Sequence, residues 1–169
     1  MVTHMLVQLP LLALAGALLA GPIRARLGEL LARADPGGIA TVLAAVFTSS
    51  YWMLPRALDS ALADPWMEAA KLLCLPLLVG VPIVLCLERV SAITAGFFIA
   101  NVLSMCAAAG WLYRASPARL CNYYLIEDQV QAGEALLSVS AALAVLWLVS
   151  FFLGRAPFAG VPAVSAGRR

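Results

Sequence analysis

A chain of 169 residues that is 63% hydrophobic and only 12% charged, with a mean hydropathy of +0.95, is far more apolar than a soluble domain, where the apolar share is roughly half. Its net charge of +2, spread over scattered arginines, excludes a nucleic-acid-binding surface. The composition is that of an integral membrane protein, whose length allows about four to six spans of ~20 residues with short connections and no separate soluble domain.

The expected fold is all-α: a bundle of about five transmembrane helices plus one short interfacial amphipathic helix, in one membrane domain over residues 1–155. The first span covers residues 5–21, with a kink at Pro10. Its Ala-rich end resembles a signal-peptide cleavage site, but no basic region precedes it, so it is read as a span. Residues 22–37 alternate arginine with leucine (Arg24, Arg26, Leu27, Leu30, Leu31, Arg33), the pattern of a short helix lying in the interface, closed by Asp35-Pro36-Gly37-Gly38. The second span, 39–54, ends on Tyr51-Trp52 as interfacial anchors. Asp64 is the expected N-cap and Pro65 the first helical residue before the third span, 66–87. Pro76 and Pro82 inside it require local relaxation of the backbone.

A Glu88-Arg89 turn leads into the fourth span, 90–113, where Gly96, Ala100, Ser104 and Ala107 recur at about one-turn intervals and suit close packing. The fifth span, 127–153, opens on the acids Glu127 and Asp128, which suit the positive end of the helix dipole. Residues 156–169, small residues with Pro and Arg, read as a disordered cytoplasmic tail. Arg24, Arg26, Arg33, Arg89, Arg155, Arg168 and Arg169 fall on one side of this topology, against Arg56, Arg114 and Arg119 on the other. Positive charge marks the cytoplasmic side, so the N-terminus is expected outside and the C-terminus inside.

With that orientation the unusual residues meet at the outer face. His4, Met5 and Gln8 stand at the start of span one; Asp59, Asp64, Met67, Glu68 and Lys71 lie at or near the start of span three; Glu127, Asp128, Gln131 and Glu134 open span five. Lys71 can pair with Glu68 three residues earlier, or reach across to Glu134, which lies two turns into its helix. An unpaired charge at that depth costs roughly 2.5 to 3.5 kcal/mol, and the pairing with Glu134 is the favoured expectation.

His4 is the only histidine, which excludes a two-histidine metal site within one copy. Reduced copper accepts thioether and thiolate ligands, so His4, Met5 and Met67, with Met1 and Cys121 as conceivable neighbours, form the candidate metal set against a reading of ordinary apolar packing. Cys74, Cys86 and Cys106 fall in apolar spans as small buried hydrophobes, and Cys121 lies alone in an outer loop, so no disulfide is expected. No phosphate loop, nucleophile elbow or zinc-protease motif is present. The expectation is a protein that is not an enzyme.

Four motifs in order carry a resemblance: Thr3-His4-Met5-Leu6, then Trp52-Met53-Leu54-Pro55-Arg56-Ala57-Leu58-Asp59-Ser60-Ala61-Leu62, then Asp64-Pro65, then Glu127-Asp128-Gln129-Val130-Gln131-Ala132-Gly133. Together they resemble the multi-spanning CtaG-type membrane family, associated with assembly and copper supply of haem-copper cytochrome oxidases, as a divergent and N-terminally short member. The resemblance implies a multi-pass protein of a bacterial-type inner (plasma) membrane with other membrane subunits, a respiratory oxidase or a related redox complex among its partners. Where the family's opening helix resembles His-x-x-x-His, this chain has His4 and Gln8, and at the start of its third span Glu68 and Leu72 stand where the family often has histidine. Fold can be inherited without activity.

Two functions therefore stand side by side. One is an accessory factor for oxidase assembly or copper supply, with His4, Met5, Met67 and the acidic start of span five as an outer site. The alternative is a permanent non-catalytic subunit of a membrane complex that has lost copper ligation, with Glu68, Lys71 and Glu134 as internal polar glue and Trp111, Tyr123 and Tyr124 as contacts.

Overall fold

The computed structural model describes residues 1–87 and 89–153. The expected disordered tail, and the arginines in it, lie outside the described residues. Within them the chain is helical, with no strand, and forms α1 (Thr3–Ala34), α2 (Ile39–Trp52), α3 (Pro55–Ala63), α4 (Pro65–Cys86), α5 (Ala92–Ala115) and α6 (Ile126–Phe152). Four of these, α1, α4, α5 and α6, are long and apolar enough to cross a membrane. The expected second span, α2, is apolar but has only 14 residues, about 21 Å at 1.5 Å per residue, short of a ~30 Å hydrocarbon core.

The first correction concerns α1. The arginine-leucine segment is not a separate interfacial helix: α1 continues through Pro22 to Ala34 as one element of 32 residues. Proline removes one hydrogen bond from a helix, but its fixed φ is itself helical, and residues 21–22 supply no turn to redirect the chain. A π turn, Thr3–Gln8, precedes the regular helix, which begins at Leu9 with Pro10 in its first turn. The short amphipathic helix exists elsewhere, as α3, where Pro55 occupies the first turn and Ala57, Leu58 and Ala61 turn inward at helical spacing.

Several local signals act as the sequence indicates. Asp64 accepts a hydrogen bond from the Trp66 N–H at 2.9 Å, capping α4 with Pro65 in its first turn. The Pro76 and Pro82 region of α4 contains a π turn, Pro76–Gly80, which re-routes the ladder around missing N–H groups. Gly38 takes a φ of 68° in the turn before α2, and Asp35 Oδ2 accepts from the Thr41 N–H at 2.8 Å. Partial burial alone would raise the Asp35 carboxyl, but the N–H groups of Thr41, Ala40 and Ile39 outweigh it and hold the group below the ordinary carboxylate range. Trp52 is a further correction: Tyr51 is exposed, but Trp52 is only 4% exposed and packs with Leu9, Ala45 and Leu75 in the core.

The helices meet where side chains are smallest. α1 crosses α4 with Gly16 against the Pro76 backbone and Gly80 against the Ala13 carbonyl. α5 and α6 form a hairpin whose closest approach is Gly110 on Gly133: a methyl at Gly133 would stand 2.7 Å from the Gly110 carbonyl oxygen, and one at Gly110 would stand 2.8 Å from that of Gly133. In lipid, backbone proximity of this kind supplies the packing that the hydrophobic effect supplies in water. The expected contact residues Ala100 and Ser104 are instead exposed, because the α5 face that meets α6 is set by Gly110.

Gly133→Ala is expected to lower stability by about 1–3 kcal/mol, because the added methyl meets backbone that cannot rotate away. Gly96→Ala, where a methyl meets Trp147 Cζ2 at an ordinary 3.8 Å, is expected to be neutral or slightly stabilising. Thermal unfolding of both variants in mild detergent checks this, and similar melting temperatures would contradict the packing.

Candidate functional site

The π turn at the start of α1 places His4 and Gln8 toward the first two turns of α4, where Glu68 and Lys71 stand three residues apart on one face. Lys71 is 1% exposed, yet it carries an ammonium. Its Nζ lies 2.7 Å from Glu68 Oε2 and 3.3 Å from His4 Nε2. Gln8 completes the group, its Nε2 donating to Glu68 Oε1 at 3.5 Å. The expected reach of Lys71 to Glu134 is thus corrected: α4 provides a carboxylate on its own face, and Lys71 is used within the α1–α4 contact.

The hydrogen-bond inventory fixes the roles in this group. An ammonium has donors only, so Lys71 donates to both Glu68 and His4, and His4 Nε2 accepts. His4 is therefore neutral here with its proton on Nδ1, the tautomer that the Lys71 contact requires. Glu68 is the partly exposed member, with 35% of its side chain accessible against 1% for Lys71. An open recess of about 390 Å³ lined by Met1, Thr3, His4, Gln8 and Tyr124 leads to the cluster.

The candidate copper ligands divide among different surroundings. His4 faces the recess with Met1, but its Nε2 lone pair is occupied by Lys71. Met5 is 3% exposed and packs with Leu58, Tyr113, Cys121 and Leu136. Met67 packs instead against the cluster containing Leu9, Trp52 and Leu75. Among the described residues no three His, Cys, Asp or Glu side chains gather to hold a metal ion. Cys121 is buried, with Sγ directed at the Pro55 carbonyl at 3.8 Å. Burial, aided by the negative charge of Asp59, pushes its thiol up to about 11, so it stays protonated at neutral pH and is a poor ligand or nucleophile.

The acidic start of α6 separates into distinct tasks. Asp128 accepts from the Leu125 N–H at 3.3 Å and satisfies one free donor of the helix start. Glu127 and Gln131 are exposed. Glu134 is also exposed, about 12 Å along the helix from Ile126, and finds no partner among the described residues. Its chain neighbour Gly133 faces the other way, into Gly110.

The residue in this motif with the most side-chain hydrogen bonds was not among the candidates. Gln129 is 1% exposed and makes three bonds: Oε1 accepts from the Leu120 N–H at 2.8 Å, and Nε2 donates to the carbonyls of Tyr113 at 3.1 Å and Ala118 at 3.4 Å. It fastens the α5–α6 loop to both of its helices. Asp59 of α3 grips the same loop from the other side, accepting from the Asn122 N–H at 2.8 Å and from Asn122 Nδ2 at 3.0 Å. The signal in the sequence was the amide between acids in Glu127-Asp128-Gln129, at a position that a helical repeat directs inward with Ala132, Gly133 and Leu136.

Glu68→Ala is expected to destabilise by roughly 3–5 kcal/mol, because it strands a buried ammonium, while Lys71→Met should cost far less because Glu68 retains access to water. Denaturant or thermal unfolding of both variants and of the double variant measures the asymmetry. Equal losses would show that Lys71 reaches solvent.

No protein family, curated protein or solved structure matches this chain. The resemblance to the CtaG-type family accordingly rests on the quoted motifs.

Proposed function

We propose that this chain is a membrane-resident, non-catalytic subunit that binds another membrane protein through α6. The observation that carries the reading is Glu134: a carboxylate on the outward face of an apolar helix, with no partner among the described residues. Ionisable groups within membrane helices face protein or a water-filled cavity, because the cost of an ion in hydrocarbon is several kcal/mol at the centre of a span and smaller toward its rim. Lys71, the partner that the sequence suggested for Glu134, is held by Glu68 and His4, and Arg114, whose backbone approaches Gly133, is exposed and makes no ion pair with Glu134 among the described residues. Ser138, Ala141 and Ala142 continue the exposed face one and two turns on from Glu134, so a second helix can approach closely there. A transmembrane helix bearing Lys or Arg near the same depth fits this face.

A second reading, the oxidase-assembly or copper-supply role that the resemblance implies, draws support from Met1 and His4 sharing one recess. In that reading His4 would exchange its Lys71 contact for a soft cation, with Met1 as thioether ligand. Met5 and Met67 do not take part from their present positions.

Purification of the tagged chain from its native membrane in mild detergent, with partner identification and metal analysis on one sample, decides between the two. The subunit reading expects a fixed set of membrane partners at equal ratio, reduced at least about tenfold by Glu134→Leu and unaffected by His4→Ala; a charge pair at an interface is worth on the order of 1.5 kcal/mol or more. Near-stoichiometric copper that disappears in His4→Ala, with only trace partners, would replace it by the metal-handling role.

A further inference from the structure

At the opposite end of the bundle, Arg89 lies in the turn between α4 and α5, and its Nη1 donates to the Gly28 carbonyl of α1 at 3.1 Å. This bond fixes the plane of the guanidinium. Its Nε and Nη2 are shielded from solvent and have no acceptor among the described residues. These two N–H groups form one edge of the guanidinium fork, the edge that engages two oxygens of a single phosphate or carboxylate. A buried, charged donor pair left unmet is unfavourable, and native structures seldom keep one without a partner.

The surroundings are basic. Gly28 also neighbours Arg24, whose Cγ would lie 3.9 Å from a methyl on that glycine. Arg26 and Arg33 are exposed on the same final turns of α1, with Glu29 paired to Arg33 at 3.9 Å. The Asp35–Gly38 turn packs close by, since a methyl on Gly38 would stand 3.3 Å from Cys86 Cβ; Asp35 accepts from the Thr41 N–H there and keeps one negative charge near the site. The site also lies at the level where α4 ends at Cys86 and α5 begins at Ala92, which is headgroup depth if these helices cross a bilayer.

We propose that Arg89 anchors a binding site for the phosphate of an anionic phospholipid, with exposed Arg26 of α1 adding positive charge at the same end of the bundle. The inference depends on the helices crossing a membrane and not on the partner-binding reading of α6. Gly28 holds the fork, and because its free edge is closed to solvent in the lipid-free chain, a phosphate reaches it only as the neighbouring side chains move aside.

The test uses the full chain, delipidated in detergent, with thermal unfolding and native mass spectrometry as readouts. Phosphatidylglycerol is expected to raise the melting temperature by about 5 °C or more at ~100-fold above its dissociation constant, and phosphatidylcholine by clearly less. Arg89→Lys, which keeps the charge but not the fork, should lose most of the shift, while exposed Arg33→Gln should keep most of it. Retention of anionic lipid by the native chain, lost in Arg89→Lys, would support the site without reliance on a melting curve. Equal shifts from both lipids, or an unchanged shift in Arg89→Lys, would overturn the proposal. An equal shift from inorganic phosphate would overturn the lipid as occupant. A shift that emerges only in Glu88→Gln would assign the fork to that carboxylate of the chain itself and overturn the proposal likewise.

Discussion

Lys71 is the point on which the end of this bundle that carries the N-terminus is organised. An ammonium with 1% of its surface exposed persists inside an apolar core only if its donors are met, and both available partners come from the α1–α4 contact. Glu68 supplies the charge and His4 the second acceptor, so the first turn of α1 must sit against the first two turns of α4. The wide π turn of Thr3–Gln8 brings His4 and Gln8 into that position together. Deeper along the same two helices, Gly16 and Gly80 let the backbones touch, and the polar end and the glycine crossing then define one register. A charged group thereby gives directional information that apolar packing in lipid lacks.

A second fixed point lies between α3, the α5–α6 loop and α6. Gln129 and Asp59 hold the loop at Leu120 and Asn122 from opposite sides, while Cys121 is buried between them against Pro55. The α5–α6 hairpin, closed by Gly110 and Gly133, is thus joined to the rest of the chain through polar groups at one end and through α2 packing on α5. Among the described residues its other face is uncovered, and that face carries Glu134. The two ends of the molecule differ in how a buried cation is met: Lys71 is answered by Glu68 and His4 at one end, while at the other Arg89 gives one bond to the Gly28 carbonyl.

Much of the helical layout was legible because it depends on local effects. Long apolar runs, Asp64-Pro65 as a helix start, Asp128 at the start of α6 and the disturbance at Pro76 each act within a turn or two of their own position. The apparent break at Gly21-Pro22 misled because proline and glycine mark ends only when a turn follows, and here α1 simply continues. The amphipathic pattern of α3 is short and carries both Arg56 and Asp59, so it stands between the expected spans without an assignment, and the burial of Leu58 identifies its inner face.

The site itself was legible as a set of residues and not as a set of pairs. The sequence by itself determined the apolar helical character of the chain, the collection of His4, Gln8, Glu68 and Lys71 at one end of it, and the lack of a second histidine for a metal. It could not determine that Lys71 turns to Glu68 and His4 instead of Glu134, that Met5 and Met67 face different clusters, or that Gln129 and not its acidic neighbours is the buried residue. Those outcomes depend on the rotation of each helix about its own axis, which is fixed by contacts such as Gly16 on Pro76 and Gly110 on Gly133 between residues far apart in the chain. In a uniformly apolar helix no face is distinguished in advance, so only tertiary packing decides which residues turn inward.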